Sequence, residues 1–191
     1  MTLEETTGII SRKDYDFAPD PNLDACFQVV KQEYANYGYD RGHMCPAGDM
    51  KWSSSAMNDC HYMTNICPQT PRLNQVYWET LESACRRWAN IYGSIYIVCG
   101  PVYNGGKHST IGTNHAISVP DGFFKVVITL VEDEEKGIGF YYKNDDDCQT
   151  MESAAMTIDQ VEELTGYDFF GELQDEVEKQ IESQNKLSNW R

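Results

Sequence analysis

No stretch of the sequence is apolar for long enough to span a membrane. Residues 1–5 contain neither the basic segment nor the apolar segment of a signal peptide. Internal repeats and linker-like segments are also absent, so nothing divides the chain into several domains. With 191 residues, of which 41% are hydrophobic, the chain is long enough to fold as one domain around a substantial core.

Basic residues are scarce: 15 Lys and Arg stand against 30 Asp and Glu, for a formal net charge of −15. This balance argues against a broad nucleic-acid-binding surface, because phosphate binding normally needs a basic footprint. The carboxylates, however, are concentrated late in the chain, at residues 132–135, 145–147 and 172–182. The distribution therefore allows a local cationic site within an acidic shell, and the acidic runs themselves are typical of solvated surface.

The cysteines follow no metal-binding pattern, since the sequence has no Cys-x₂-Cys pair and an odd total of 7. Three stand in apolar stretches and are predicted to be small core residues: Cys67, Cys85 and Cys99. Three others are better candidates for disulfides, with the pairing left open: Cys26, Cys60 and Cys148. A zinc site can also be drawn from His43, Cys45, Cys60 and His61, but its spacing matches no common zinc finger.

The clearest predicted element is an amphipathic helix over residues 74–92. Its apolar positions recur at three- and four-residue steps: Tyr77, Leu81, Ala84, Cys85, Trp88 and Ile91. At about 100° per residue, an adjoining stripe consists of Asn74, Trp78, Glu82 and Arg86. Such a stripe lies at the border between core and solvent, where a site can be built. Taken alone, however, Glu82 and Arg86 also fit a surface ion pair, and Asn74 fits a helix N-cap.

Residues 40–43, Asp-Arg-Gly-His, change this interpretation. They follow a segment rich in Tyr and Gly, which predicts that His43 lies near the end of a strand. Residues 64–69, Thr-Asn-Ile-Cys-Pro-Gln, predict a second strand, and the amphipathic helix comes directly after it. A histidine on a strand, followed by an amide, a carboxylate and an arginine on a helix, suits metal-assisted phosphodiester hydrolysis.

In this order, the motifs resemble those of the DNA/RNA non-specific endonucleases, a family that includes secreted bacterial nucleases and mitochondrial endonuclease G. The family shares the ββα-metal (His-Me finger) site, in which a strand with Asp-Arg-Gly-His, a second strand and a helix with a metal-binding Asn come together. Residues 11–12, 17–23, 96–102 and 119–125 are also similar to the family pattern, so the resemblance covers most of residues 11–170. It implies an α+β fold with a mostly antiparallel sheet and additional helices.

The resemblance also implies the chemistry of the site. His43 is expected to be the general base that takes a proton from the attacking water. Asn74 is expected to be the one direct protein ligand of a divalent cation, with Mg²⁺ as the first candidate and Mn²⁺ or another divalent ion as alternatives. Glu82 would act on this cation through a bound water.

Three arginines are expected to bind the substrate. Arg86 would contact the scissile phosphate as charge builds up on it, and Arg41 and Arg12 would supply further positive charge. The resemblance implies that DNA and RNA are the substrates and that the products carry 5′-phosphate and 3′-hydroxyl ends.

Two other classes of function fit the same residues. A catalytically silent module that binds nucleic acid or protein would keep this fold, although it would be expected to have lost at least one of His43, Asn74, Glu82 and Arg86. A phosphodiesterase for small substrates would use the same cation, base and arginine, and only the resemblance opposes it.

Three expectations concern the protein as a whole. Because unrestricted nucleases of this kind are kept away from the cell's own nucleic acids, we expect a secreted or periplasmic protein. A signal peptide, and with it a first strand, would then precede residue 1 of the 191-residue chain. Members of the family are often dimeric, so a homodimer is a further expectation.

The remaining segments predict the rest of the sheet and two late helices. Strands are predicted at residues 94–102, 123–131 and 137–143, with a hairpin inside 107–119. A capping box at Thr157 predicts a helix that ends at Gly166, and a second helix is predicted over residues 172–183. Residues 46–57 form a predicted loop with Trp52 and Met57 pointing inward. His108 and His115 are predicted to be surface residues.

Overall fold

The predicted strand–strand–helix unit is present in the computed structural model, which describes residues 1–190. Strand β1 (Asp40–His43) pairs antiparallel with β2 (Ile66–Gln69), and His43 lies opposite Ile66. Between the two strands lies helix α1 (Ser54–Asp59), which Ser53 caps by accepting a hydrogen bond from the backbone of Ala56. The connection from 46 to 57 buries Met57, as predicted, but the prediction for Trp52 is wrong because this side chain is exposed.

The helix after β2 begins with a π-helical segment, Leu73–Trp78, and continues as α2 (Glu79–Tyr92). A π-helix closes its hydrogen bonds over five residues instead of four, so residues 73–78 do not have regular α-helical geometry. Trp78 is fully buried in the core, and Nε1 of Trp78 and Nδ2 of Asn74 both donate hydrogen bonds to residues of β1. The prediction of one regular helix from residue 74 is therefore wrong in its first part. Helix α2 ends as expected at Gly93, whose φ of 78° favours glycine.

The central sheet has four antiparallel strands. One of its edge strands is β3 (Tyr96–Val102). Next along the chain, β4 (Thr110–Ile111) and β5 (Ile117–Ser118) form a separate two-stranded sheet. Strands β6 (Gly122–Thr129), β7 (Lys136–Lys143) and β8 (Ala155–Met156) complete the central sheet in the order β3-β6-β7-β8. The three long predicted strands and the hairpin are confirmed, with ends shifted by a few residues.

Strand β6 is buried on both faces, because helices cover the sheet from two sides. Phe123 and Val127 pack with Trp88 of α2 in one core cluster. Their neighbours Phe124 and Val126 belong to a second cluster that includes residues of the late helices. This alternation is the two-residue period of a strand, and the mixture of helices with an antiparallel sheet confirms the predicted α+β class.

The late part of the chain contains three helices: α3 (Met151–Ala154), α4 (Ile158–Thr165) and α5 (Asp175–Glu182). The capping box at Thr157 is confirmed, since Thr157 and Gln160 exchange side-chain to backbone hydrogen bonds. Gly166, with φ of 73°, ends α4 as predicted. Among residues 1–190, no helix has both the length and the apolar character required to cross a membrane.

All seven cysteines carry free thiols, so the prediction that Cys26, Cys60 and Cys148 form disulfides is wrong. Cys26 and Cys148 are exposed, whereas Cys60 is buried and donates its Sγ hydrogen bond to the carbonyl of Met57 at 3.2 Å. Cys85 is a core residue as predicted.

Candidate active site

The end of β1, the loop after it and the π-helical segment surround a polar cavity of about 340 Å³. Five of the six residues predicted for the site line it: Arg12, Arg41, His43, Asn74 and Glu82. Gly48, Gln75 and Glu79 line the same cavity and were not predicted. The fold therefore brings together side chains that are up to 70 residues apart in the sequence, between Arg12 and Glu82.

The side chain of Asn74 is fixed by β1. Its Nδ2 donates to Oδ2 of Asp40 at 2.9 Å, and Nε2 of Gln75 donates to the same oxygen at 2.7 Å. Two consecutive amides therefore reach one carboxylate at the start of the π-helical segment. Because the amide nitrogen of Asn74 is committed to Asp40, its Oδ1 is left as the acceptor toward the cavity, and an amide oxygen is a ligand that hard divalent cations accept.

The capping alternative for Asn74 is excluded. The backbone N–H of Asn74 donates to the carbonyl of Thr70 at 2.9 Å, and Arg72 occupies the N-cap position of the segment. Asn74 thus lies inside the helical segment rather than in front of it.

His43 ends β1, and its backbone carbonyl accepts a hydrogen bond of 3.3 Å from Nε1 of Trp78. Its ring centroid lies 5.3 Å from that of Phe17 and 5.3 Å from that of His61, which it meets edge to face. Burial, followed by the nearby His61 and Arg12, lowers the pKa of His43 to about 4. The imidazole is therefore neutral near neutral pH, which is the form that can accept a proton.

Behind His43 lie Cys60 and His61. One potential ligand atom from each of the three residues lies within 4.8 Å of the other two. In the described part of the chain, the Nε2 atom of His43 is buried without a hydrogen-bond partner, whereas Nδ1 of His61 lies 2.7 Å from the carbonyl of Met57. The fourth residue of the zinc alternative, Cys45, lines a different cavity together with Cys99 and Lys125.

Glu82 lies on the first turn of α2, one turn beyond Trp78. Burial raises the pKa of its carboxyl to about 7, and Asp49 and Glu79 add to the rise, while Lys125 and Arg86 oppose it. Lys125 is itself buried in β6, with Nζ 4.5 Å from the centre of the Trp78 ring. In the sequence, Lys125 stands out because it is the one charged residue in the otherwise apolar run 123–128.

Arg86 lies beside the cavity rather than in its lining. Its Nη1 donates to Oδ1 of Asp49 at 2.8 Å, and its Nη2 donates to Oγ of Ser83 at 2.9 Å. A Cβ atom at Gly48 would lie 2.8 Å from this Nη1, so the guanidinium packs directly behind the cavity wall. Within residues 1–190, Arg86 pairs with Asp49 and Glu79 and not with Glu82, so the predicted alternative of a Glu82–Arg86 surface pair is wrong.

The two other arginines supply positive charge to the cavity. The Arg41 guanidinium lies over the Phe17 ring, 4.8 Å from its centre, and Nη1 donates to the carbonyl of Lys31 at 3.4 Å. Its Nε is buried without a partner among the described residues. Arg12 is exposed at the rim, at the start of a short 3₁₀ turn that Ser11 caps.

Known proteins are similar to this chain over most of its length. The model of the DNA/RNA non-specific endonuclease family matches residues 2–176. The chain belongs to this family. It is 40% identical to the mitochondrial nuclease 1 of Schizosaccharomyces pombe over 128 residues, which are 62% of this chain and 40% of that protein. It is 30% identical to the human mitochondrial nuclease EXOG over 181 residues, which are 87% of this chain and 49% of that protein.

Among solved structures, the crystal structure of an EndoG/EndoGI complex contains a chain similar to this one. The TM-score is 0.86 at 25% sequence identity, over 97% of this chain and 81% of that chain. This likeness confirms the predicted α+β fold of the endonuclease family.

The endonuclease relatives also correct one expectation. Human endonuclease G, 35% identical over 65% of this chain and 45% of its own length, is a mitochondrial protein by name, as are nuclease 1 and EXOG. The expectation of a secreted or periplasmic protein is therefore wrong. The chain spans about half or less of the length of these curated relatives.

Proposed function

We propose that this endonuclease-family chain is a metal-dependent enzyme that hydrolyses phosphodiester bonds of DNA and RNA and leaves 5′-phosphate and 3′-hydroxyl ends. One observation carries the proposal: a neutral imidazole, a free amide oxygen and a carboxylate share one polar cavity. The imidazole can accept a proton, and the amide and carboxylate oxygens can bind a hard cation. Metal-dependent hydrolysis of a phosphodiester needs both functions.

The residues of the cavity fit a hard divalent cation. Asn74, held by Asp40, offers Oδ1 as a direct ligand. Glu82 lines the same cavity and would orient a metal-bound water. A ligand set with one direct protein oxygen suits Mg²⁺, which keeps several waters when it binds to proteins, and Mn²⁺ could take the same place. When bound, Mg²⁺ would act as a Lewis acid toward the phosphate and the departing 3′-oxygen.

His43 would take the proton of the attacking water. The backbone pairing of β1 with β2 and the hydrogen bond from Trp78 hold its main chain in place, while Phe17 and His61 hold its ring. A base that is positioned before the substrate arrives needs no reorganisation during the reaction.

Arg12 and Arg41 would bind the phosphates of the polymer on either side of the cleaved bond. Both line the cavity, and the exposed position of Arg12 at the rim suits contact with an adjacent nucleotide. Because the rest of the surface is acidic, with a net charge of −15, we expect weak and strongly salt-dependent binding of nucleic acid. The family resemblance further supports a homodimer, which sedimentation of the purified chain would show or exclude.

The test is digestion of plasmid DNA, of RNA and of a small phosphodiester by the purified chain, with Mg²⁺ and with EDTA. The variants His43→Ala and Asn74→Ala are assayed in parallel, with His108→Ala as the control, because His108 lies in another part of the fold beside Asp121. We expect metal-dependent cleavage of both polymers, a loss of about 10²–10⁴-fold in His43→Ala, and loss of both metal binding and cleavage in Asn74→Ala.

Two results would contradict the proposal. Turnover of the small ester without cleavage of the polymers would indicate a small-substrate phosphodiesterase. Nucleic-acid binding without cleavage under any of the metal conditions would indicate a silent binding module.

A further inference from the structure

A second group of carboxylates lies on the other face of the central sheet from α2. Asp159 and Glu162 are three residues apart on α4, and Glu182 is the last residue of α5. One carboxylate oxygen from each of the three lies within 4.8 Å of the other two. Two helices that are separate in the sequence therefore direct three negative charges toward one point.

Glu182 is the unusual member of this group. The residue is 7% exposed, and its Oε1 is buried without a hydrogen-bond partner among residues 1–190. Its neighbour Ile181 is fully buried in the core, which fixes the end of α5 against the sheet. A buried carboxylate oxygen without a partner is costly, so each one in a folded protein requires an explanation.

The surroundings of Glu182 supply negative charge. Burial raises the pKa of Glu182 to about 7, and the carboxylates around it add to the rise: Glu162, Glu178, Asp159 and Asp168. Glu162 is partly satisfied, since its Oε1 accepts a hydrogen bond of 2.7 Å from the backbone of Phe169. Within residues 1–190, no Lys, Arg or His forms an ion pair with any of the three cluster residues.

We propose that Asp159, Glu162 and Glu182 form a binding site for a divalent cation, with Ca²⁺ as the ion that fits best. Ligand oxygens at about 2.3–2.6 Å from one Ca²⁺ lie at most about 5 Å from one another, and the three carboxylates meet this limit. Mg²⁺ usually takes only one or two carboxylates, whereas Ca²⁺ accepts six to eight oxygens and tolerates irregular geometry. The absence of His and Cys from the group argues against Zn²⁺.

Such an ion would join α4 to the end of α5. Helix α5 is short and packs on α4 and β7, and its last residue would become a ligand. If the ion binds the folded chain and not the unfolded chain, the free energy of unfolding should rise with the logarithm of the ion concentration. This site is independent of the proposed nuclease activity, because it shares no residue with the cavity around His43.

The test is calorimetric titration of CaCl₂ and of MgCl₂ into the full chain carrying Asn74→Ala, which removes the proposed cation ligand of the nuclease cavity. Titrations are performed at slightly alkaline pH and constant ionic strength, and the melting temperature is measured at each ion concentration. We expect saturable binding of one Ca²⁺ per chain, weaker binding of Mg²⁺, and a rise in the melting temperature with Ca²⁺.

Adding Glu182→Gln should abolish both the binding and the rise. Asp159→Asn should do the same and should leave folding intact, because Asp159 is exposed. Glu163→Gln is the matched control, since Glu163 is a carboxylate on the same helix outside the group, and it should leave both measurements unchanged.

The proposal is overturned if Ca²⁺ shows no saturable binding, or if Asp159→Asn and Glu182→Gln bind it as the parent does. An increase in melting temperature on Glu182→Gln, together with no response to Ca²⁺, would also overturn it, because the ionised carboxylate would then destabilise the fold without binding an ion. The outcome does not depend on whether the chain is a nuclease, because ion binding and the melting temperature are the two quantities measured.

Discussion

Arg86 is bound to Asp49 by a hydrogen bond of 2.8 Å between Nη1 and Oδ1, although the two residues are 37 positions apart in the sequence. Asp49 is buried in the loop after β1, and Arg86 lies on α2. Burial raises the pKa of Asp49, and the hydrogen bond and charge of Arg86 oppose that rise. The arginine therefore fixes the loop at the cavity wall, whether or not it also contacts a phosphate.

Removal of the arginine should separate these two roles. Arg86→Ala leaves a buried carboxylate without its cation, and we expect a loss of about 1–3 kcal/mol in the free energy of unfolding, together with reduced cleavage. The double variant Arg86→Ala/Asp49→Asn should regain most of the stability, because the buried charge is removed with its partner. It should not regain cleavage if the cation is needed at the phosphate.

Chemical denaturation and plasmid digestion measure the two effects of Arg86→Ala. Arg87→Ala is the matched control, because Arg87 is the exposed neighbour on the same helix. Recovery of full cleavage in the double variant would show that Arg86 only neutralises Asp49.

The pH dependence of cleavage should report the environment of His43. The pKa of His43 is lowered from 6.5 to about 4, so the base is deprotonated at pH values well below neutral. We expect kcat/KM, measured at saturating Mg²⁺, to fall only as the pH drops through about 4, because this ratio reports the free enzyme. A decrease of kcat/KM near pH 6.5, the ordinary pKa of histidine, would contradict the lowered pKa of His43.

Binding of the cation should depend on pH through Glu82. Without metal, the pKa of Glu82 is raised from 4.5 to about 7, so a large part of this carboxyl is protonated near neutral pH. Because the cation favours the ionised form, the affinity for Mg²⁺ should fall as the pH decreases through about 7. Titration calorimetry at several pH values measures this, and Glu82→Gln should remove the dependence. If the affinity of Glu82→Gln for Mg²⁺ still depended on pH, another titratable group would be responsible.

Gly42 should be essential for the register of the active-site strands. A Cβ atom at this position would lie 2.0 Å from Oε1 of Gln69, and the Gln69 side chain is fully buried. We expect Gly42→Ala to cost about 1–3 kcal/mol in the free energy of unfolding, as overpacking does elsewhere. Gly105→Ala is the control, because no atom of residues 1–190 lies within 4 Å of its added Cβ. Equal stability of the two variants in urea would contradict this prediction.

The pair of His115 and Glu33 should give the fold a pH-dependent contribution to stability. Nδ1 of His115 lies 2.6 Å from Oε1 of Glu33, a buried carboxylate that also accepts from the backbone of His115 at 2.8 Å. The hydrogen bond to Glu33 raises the pKa of His115 above 6.5; burial opposes this rise, and the charge of Glu33 adds to it. Burial by itself would raise the pKa of Glu33, but these hydrogen bonds hold it below 4.5.

The two shifts define a pH window. The contribution of Glu33 is complete above its unfolded value of 4.5 and disappears as the pH falls through its lower folded value. The contribution of His115 is complete below 6.5 and disappears as the pH rises through its higher folded value. His115→Gln should therefore lower the melting temperature most between these limits and less at alkaline pH. A pH-independent difference between the variant and the wild type would exclude this mechanism.

Local features of the chain could be predicted because their causes are local. The strand at residues 40–43, the capping box at Thr157 and the end of α4 at Gly166 depend on residues a few positions apart. The apolar face of α2 follows from the spacing of Leu81, Ala84, Cys85 and Trp88, whereas the prediction for Ile91 is wrong because this residue is exposed. The resemblance to the endonuclease family likewise depends on short motifs in a fixed order, and five of the six predicted site residues line one cavity for that reason.

Other features could not be predicted, because they depend on partners far away in the sequence. The π-helical start of the site helix has no signal in residues 73–78, and it accompanies the attachment of Asn74 and Gln75 to Asp40. The predicted disulfides were wrong since spacing gives no information on the distance between thiols. His115 was predicted to be a surface residue, but its side chain is only 25% exposed and pairs with the buried Glu33, which is 82 residues earlier.

The sequence by itself determined which groups are available to this protein: one histidine at the end of a short strand, an amide and a carboxylate on the following helix, and arginines around them. Only the tertiary structure decided the state of those groups. Packing of His43 against Phe17 and His61 lowers its pKa, burial next to Asp49 raises that of Glu82, and Asp49 binds Arg86. Protonation and pairing depend on burial and on distances through space, which the order of residues does not specify.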